Sequence, residues 1–151
     1  GNHGAAGRRE ARRRRDIPTA AMPSFTRFVA LGDSTTEGLM DPGPAGGFRG
    51  WADRLAEILA EGQPDLLYAN LAIRGRKLPQ IREEQLAAAL RLEPDLASVL
   101  GGVNDILRPR VDLGRRAADL DAIVGGLSES GATVLVLNYP DLASAIRIAP
   151  A

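Results

Sequence analysis

RFVALGDSTTEG, residues 27–38, decides how this chain is read. Its first half is a short apolar run closed by Gly32, the signature of a strand buried on both faces. The run leads straight into Asp33 and Ser34. A serine just past a strand end can stand exposed at the rim of a sheet. If a helix begins there, its free N–H groups and the positive end of its dipole favour a developing oxyanion. Ser34 would then offer both an attacking hydroxyl and a backbone donor. The same residues also fit a plain helix start, with Ser34 as the cap and Glu37, three positions on, completing a capping box. The stretch is not a G-x-S-x-G elbow, because Thr36 stands where the second glycine would be.

Outward from this point, strands and helices alternate. DPGPAGGFRG (41–50) is a Gly/Pro loop, and a candidate border of any site at the end of the first strand. WADRLAEILAE (51–61) sets Trp51, Leu55, Ile58 and Leu59 on one helical stripe. LLYANLA (66–72) predicts a second strand, and LPQIREEQLAAALRL (78–92) a second helix with Pro79 in its first turn. LASVLGG (96–102) predicts a third strand. Leu113, Ala117, Leu120, Val124 and Leu127 recur every three or four residues and predict a third helix, and TVLVLN (133–138) predicts a fourth strand. The tail from Tyr139 shows no clear pattern. This order predicts an α/β fold, a parallel sheet with helices on both faces and right-handed crossovers. In such open sheets the ligand lies beyond the carboxyl ends of the strands.

Two further strand ends then matter. The second is followed by IRGR, with Gly75 at its turn. A glycine there either permits an unusual backbone angle or lets its N–H face a substrate oxygen unobstructed. Arg74 and Arg76 beside it are solvated cations or a lure for an anionic substrate. The third strand is followed by GGVNDIL, where Asn104 carries an amide donor suited to an oxyanion, although Asn-Asp is also ordinary turn chemistry. Each is ambiguous alone. Together they put groups of one chemistry after three successive strands.

FVALGDSTTEG, NLAIRGR and GGVND resemble, in order and spacing, the first three blocks of the SGNH hydrolases, also called the GDSL esterase/lipase family. The resemblance runs from about Phe28 to about Asn138. It implies a flavodoxin-like three-layer α/β/α sandwich around a five-stranded parallel sheet. It implies a hydrolase of carboxylic esters, small acyl esters in particular, that needs no metal or cofactor. By motif, Ser34 matches the nucleophile and first oxyanion donor, Gly75 the second donor and Asn104 the third. Asp33 and Asp105 match positions that support the surrounding backbone and hydrogen bonds.

The family's fourth block, Asp-x-x-His, is absent from the 151 residues. The one histidine, His3, precedes the domain, and a serine hydroxyl is a poor nucleophile without a base. On this basis the domain is expected to lack its last strand and helix, leaving strand four as an apolar edge and activity impaired. The expected division is a basic, disordered segment over 1–24 and an incomplete hydrolase domain over 25–151. An acyl- or anion-binding module without catalysis is the rival reading.

Composition sets the remaining bounds. At 44% hydrophobic, the chain is globular. It is formally neutral, yet residues 1–21 hold six Arg against two acids, so the rest is mildly acidic and unlike a nucleic-acid binder. The RREARRRR run reads as sequence upstream of the domain or as a basic arm. There is no Cys, so disulfides and thiolate metal sites are excluded. No run approaches the roughly 18 apolar residues of a membrane span, and no signal-peptide pattern is seen, which leaves the cytoplasm as the expected location. A nucleotide site is disfavoured, since neither G-x-G-x-x-G nor a Walker sequence follows the first strand.

Overall fold

A computed structural model of the chain describes residues 24–139. The expected basic segment, His3 and the last twelve residues lie outside the described residues. The elements follow in the order β1 (Arg27–Gly32), α1 (Ser34–Glu37), α2 (Trp51–Gly62), β2 (Leu67–Asn70) and α3 (Leu78–Gln80). A π-helical turn (Ile81–Gln85) then joins α3 to α4 (Leu86–Arg91). It is followed by β3 (Leu96–Leu100), α5 (Val103–Ile106), α6 (Leu113–Glu129) and β4 (Thr133–Val136). The sheet is wholly parallel, in the order β2-β1-β3-β4. Among the described residues no helix is long and apolar enough to cross a membrane.

Side chains of a strand alternate between faces, and β1 uses both. Phe28 and Ala30 pack with Leu96 against Ala52 and Ala56 of α2. Val29 and Leu31 pack with Ala97 and Val99 against Leu78, Ile81, Ala89, Ile123 and Leu127. Hence α2 covers one face, and α3, the π turn, α4 and α6 cover the other, in three layers. A strand buried on both sides must be apolar throughout, which is why RFVALG and LASVL read as unbroken runs.

β1 and β3 are the inner strands, and their lower ends are locked by one side chain. The Asp95 carboxylate accepts from Thr26 N–H at 2.8 Å, Thr26 Oγ1 at 2.8 Å and Arg27 N–H at 2.9 Å. β2 and β4 are shorter than their apolar runs. Past Asn70 two backbone bonds still reach β1, from Leu71 N–H to Ala30 C=O at 2.8 Å and from Ile73 N–H to Gly32 C=O at 3.3 Å, while the outward Ala72 N–H is taken by the Asn70 side chain at 3.1 Å. β4 is an edge among the described residues, with Leu135 and Val136 exposed.

The helix expected over 78–92 is interrupted. Its apolar stripe is regular, but the turn Ile81–Gln85 is π-helical, and both Ile81 and Gln85 are buried. Gln85 reaches Gly32: its Oε1 accepts from Gly32 N–H and its Nε2 donates to Gly32 C=O, each at 2.9 Å. The last residue of β1 is therefore bonded like a strand residue, by a side chain.

Candidate active site

Ser34 follows β1, Gly75 follows β2 and Asn104 follows β3, so all three lie at the carboxyl ends of neighbouring strands. Ser34 is the first residue of α1 and is half-buried. The cap of α1 is Asp33, whose Oδ1 accepts from Thr35 N–H at 3.1 Å. Glu37 does not fold back to close a capping box. It accepts instead from Arg74 N–H at 3.0 Å and pairs with the Arg74 guanidinium. The capping reading of Ser34 is thus corrected. Asp33 is an equally good cap former one position earlier, and it leaves the Ser34 hydroxyl without that duty. Among the described residues Ser34 N–H donates no hydrogen bond.

Gly75 lies in a turn closed by Arg76 N–H to Ile73 C=O at 3.3 Å. Its φ of +76° is the left-handed region, and a Cβ there would meet nothing within 4 Å. Backbone angle, not crowding, requires the glycine. Its N–H is also without a partner among the described residues. The flanking cations are ion-paired, Arg74 with Glu37 and Arg76 with Glu84 at 2.7 Å, so neither is simply solvated.

Asn104 joins the other two strand ends. Its Nδ2 donates to Arg76 C=O at 3.1 Å, beside Gly75, and to Asp33 Oδ2 at 3.4 Å, beside Ser34. Asp105, 4% exposed, accepts from Leu78 N–H at 3.0 Å and from Arg116 at 3.1 Å. It therefore holds the segment after Gly75 against the segment after β3. Asn70 does the same on the other side, donating to Thr36 C=O at 2.8 Å.

Three residues of this network were not foreseen: Gln85, Tyr139 and Asn70, a polar side chain inside the second apolar run. Gln85 gave no signal, because its place in the sequence is one polar position in an amphipathic helix. Tyr139, just past β4, brings its hydroxyl to 3.3 Å from Asp33 Oδ2. Its position after a fourth strand end was the available clue. Burial pushes the Tyr139 phenol up to about 12, and the Asp33 charge acts in the same direction.

Asp33 has no exposed surface, and burial raises its pKa despite the bonds from Thr35 and Tyr139. A carboxyl with a raised folded-state pKa holds its proton to higher pH in the native state than in the unfolded one. The contribution of Asp33 to stability is therefore present below the unfolded value of about 3.9 and is lost as pH rises through the folded value. Urea unfolding between pH 3.5 and 7 is expected to show this decline superimposed on the opposite trend from Asp95, whose carboxylate, despite its partial burial, is held below its ordinary value by the Thr26 and Arg27 N–H groups. Asp33→Asn should remove the decline, and parallel pH profiles for the two proteins would contradict the assignment.

Beside Ser34 lies a cleft of about 380 Å³, lined by Ser34, Thr35, Leu39, Asp41, Gly50 and Trp51. The Gly/Pro loop forms its outer wall, held by Arg49 N–H to Asp41 C=O at 2.8 Å.

The sequence model of the GDSL-like Lipase/Acylhydrolase family matches residues 30–150. No curated protein matches the chain. Among solved structures, a protein from Parabacteroides merdae described as a GDSL-like lipase is 26% identical, with a TM-score of 0.59 over 73% of this chain and 57% of that one. TesA is 24% identical, with a TM-score of 0.64 over 78% of this chain and 63% of its own. A catalytic mutant of the acetylxylan esterase Axe2 from Geobacillus stearothermophilus is 20% identical, with a TM-score of 0.60 over 76% and 60%. The chain spans less than two thirds of the length of each of these proteins. The parallel sheet between helical layers is the fold they share with it.

Proposed function

Because the chain belongs to the GDSL-like lipase/acylhydrolase family, we propose that it is a carboxylic-ester hydrolase with Ser34 as its nucleophile. The observation that carries this reading is the placement of three donors after three neighbouring strands. Two of them, the N–H groups of Ser34 and Gly75, are unpaired among the described residues.

Ser34 Oγ attacks the ester carbonyl carbon, and the carbonyl oxygen becomes an oxyanion. Ser34 N–H, Gly75 N–H and Asn104 Nδ2 donate to it. Asn104 gives up only its long 3.4 Å contact with Asp33 and keeps the bond to Arg76 C=O that orients the amide. Donors fixed before the reaction cost no reorganisation, and one such donor contributes roughly 10²- to 10³-fold in rate. Collapse of the intermediate expels the alcohol and leaves an acyl-Ser34 ester, which water then cleaves. Small acyl esters are the proposed substrates, in keeping with a 380 Å³ cleft and with the acetylxylan esterase among the similar structures.

The proton of Ser34 needs an acceptor. In the family an Asp–His pair takes it, and the 151 residues contain no Asp-x-x-His. The polypeptide of these residues is therefore expected to turn over p-nitrophenyl acetate far below the ordinary enzyme range of about 10 s⁻¹. Added imidazole can supply the missing base. Covalent labelling of Ser34 by a neutral fluorophosphonate is expected to rise with imidazole concentration and to vanish in Ser34→Ala. Folded protein that stays unlabelled at every imidazole concentration would overturn the nucleophile and favour a non-catalytic binding module.

A further inference from the structure

A second cleft, of about 210 Å³, opens on the same rim of the sheet. Six charged side chains line it: Lys77, Asp105, Arg108, Arg110, Asp112 and Arg116. The two carboxylates are already committed. Asp105 accepts from Leu78 N–H and Arg116. Asp112 caps α6 through Arg115 N–H at 3.0 Å and pairs with the Arg115 side chain. Arg116 is bonded to Asp105 and Asp119. Among the described residues, Lys77, Arg108 and Arg110 have no carboxylate within ion-pair distance. The cleft is thus cationic, and the positive end of the seventeen-residue helix α6 adds to it.

This cleft is built from the same two strand ends that carry the oxyanion donors. Lys77 follows Arg76, whose carbonyl accepts from Asn104, and Asp105 follows Asn104 itself. Asp105 ties the two walls together through Leu78 N–H. The outer wall is the exposed loop after α5. Arg108 N–H bonds to Asp105 C=O at 3.3 Å, Pro109 restricts the chain between the two arginines, and Arg110 sits at φ +61°. A non-glycine residue in the left-handed region costs on the order of 1 kcal/mol and persists only where its surroundings impose it. Three unpaired cations at one cleft recognise an oxygen acid, and guanidinium groups do so in a forked geometry that matches carboxylate and phosphate.

We propose that the Lys77–Arg108–Arg110 cleft binds an anionic group of the substrate, so that the esters favoured at Ser34 carry a carboxylate or a phosphate. The inference deepens the ester-hydrolase reading and rests on it. Since catalysis is not needed to read binding, the test is a titration. The 151-residue chain, labelled with ¹⁵N, is titrated with monomethyl succinate, 2-acetoxyethyl phosphate and neutral dimethyl succinate. At least one anionic ester is expected to bind ten-fold or more tightly than the neutral one, with shifts centred on Lys77 and residues 108–116. The preference should shrink as salt is raised.

Arg108→Gln combined with Arg110→Gln should abolish the preference, and the paired Lys replacements should retain part of it. Whichever anion binds tighter identifies the group. Equal affinity for charged and neutral esters, shifts located elsewhere, or a Gln pair that keeps the preference would overturn the proposal. Failure of the underlying hydrolase reading shows separately, as absence of imidazole-dependent Ser34 labelling on the unsubstituted chain.

Discussion

Gln85→Leu is expected to lower stability by about 2–3 kcal/mol. Gln85 is 2% exposed, and its amide is the partner of both backbone groups of Gly32. Leucine fills a similar volume but offers neither a donor nor an acceptor. Gly32 C=O retains Ile73 N–H at 3.3 Å, whereas Gly32 N–H is left buried and unpaired. An orphaned buried donor costs on the order of 1–3 kcal/mol, and the loss of the second bond adds to it. For a domain of this size each 1 kcal/mol moves the melting temperature by roughly 2–4 °C. A fall of several degrees in a thermal melt is the expected reading. The same change should slow imidazole-dependent labelling of Ser34 by more than the unfolded fraction accounts for, because Gly32 is two residues from the hydroxyl. A variant that melts with the parent protein would show that water or backbone movement replaces the amide.

Gly32→Ala is expected to cost about 3 kcal/mol or more, or to prevent folding. A Cβ at position 32 would collide with Leu100 C=O and come within 2.6 Å of Thr36 Oγ1. One obstacle is a side chain and the other is the backbone of β3, hydrogen-bonded within the sheet. Relief of the first alone should not suffice, so Gly32→Ala is expected to stay destabilised in a Thr36→Gly background, which removes both Oγ1 and the Cβ at 2.9 Å. Recovery of most of the stability there, measured by urea unfolding, would place the strain at Thr36 rather than at the strand.

Much of this arrangement could be read from the residues themselves. β1 and β3 matched their apolar runs closely because both faces of each are buried, leaving no alternation to mislead. The edge strands were read too long. LLYANLA continues apolar beyond Asn70, and beyond it only single backbone bonds, from Leu71 and Ile73, still reach β1. The placement of Ser34, Gly75 and Asn104 at one rim followed from strand order alone. Their supports did not follow. Gln85, Asn70 and Tyr139 act across gaps of 34 to 106 positions, and nothing local distinguishes a glutamine that clamps a strand from one that faces water. The cap stayed undecided for a different reason. Asp33 and Ser34 are both good caps, and the choice between them depends on where Glu37 is drawn, which Arg74 decides.

The clamp of Asp95 on Thr26 and Arg27 has a consequence for the birth of the molecule. Arg27 meets its partner 68 positions later in the chain. A ribosome working at about 5–20 residues per second needs roughly 3–14 s to cover that interval. During that time the strand leading to Ser34 is already made but has only one side of its ladder to find. β1 is thus finished by a later segment, and one of its edges stays open until Asp95 and β3 arrive. Silent codon changes that slow translation between Gly75 and Asp95 would lengthen this wait without altering a single residue. Their expected signature is more aggregated protein and an unchanged native fold.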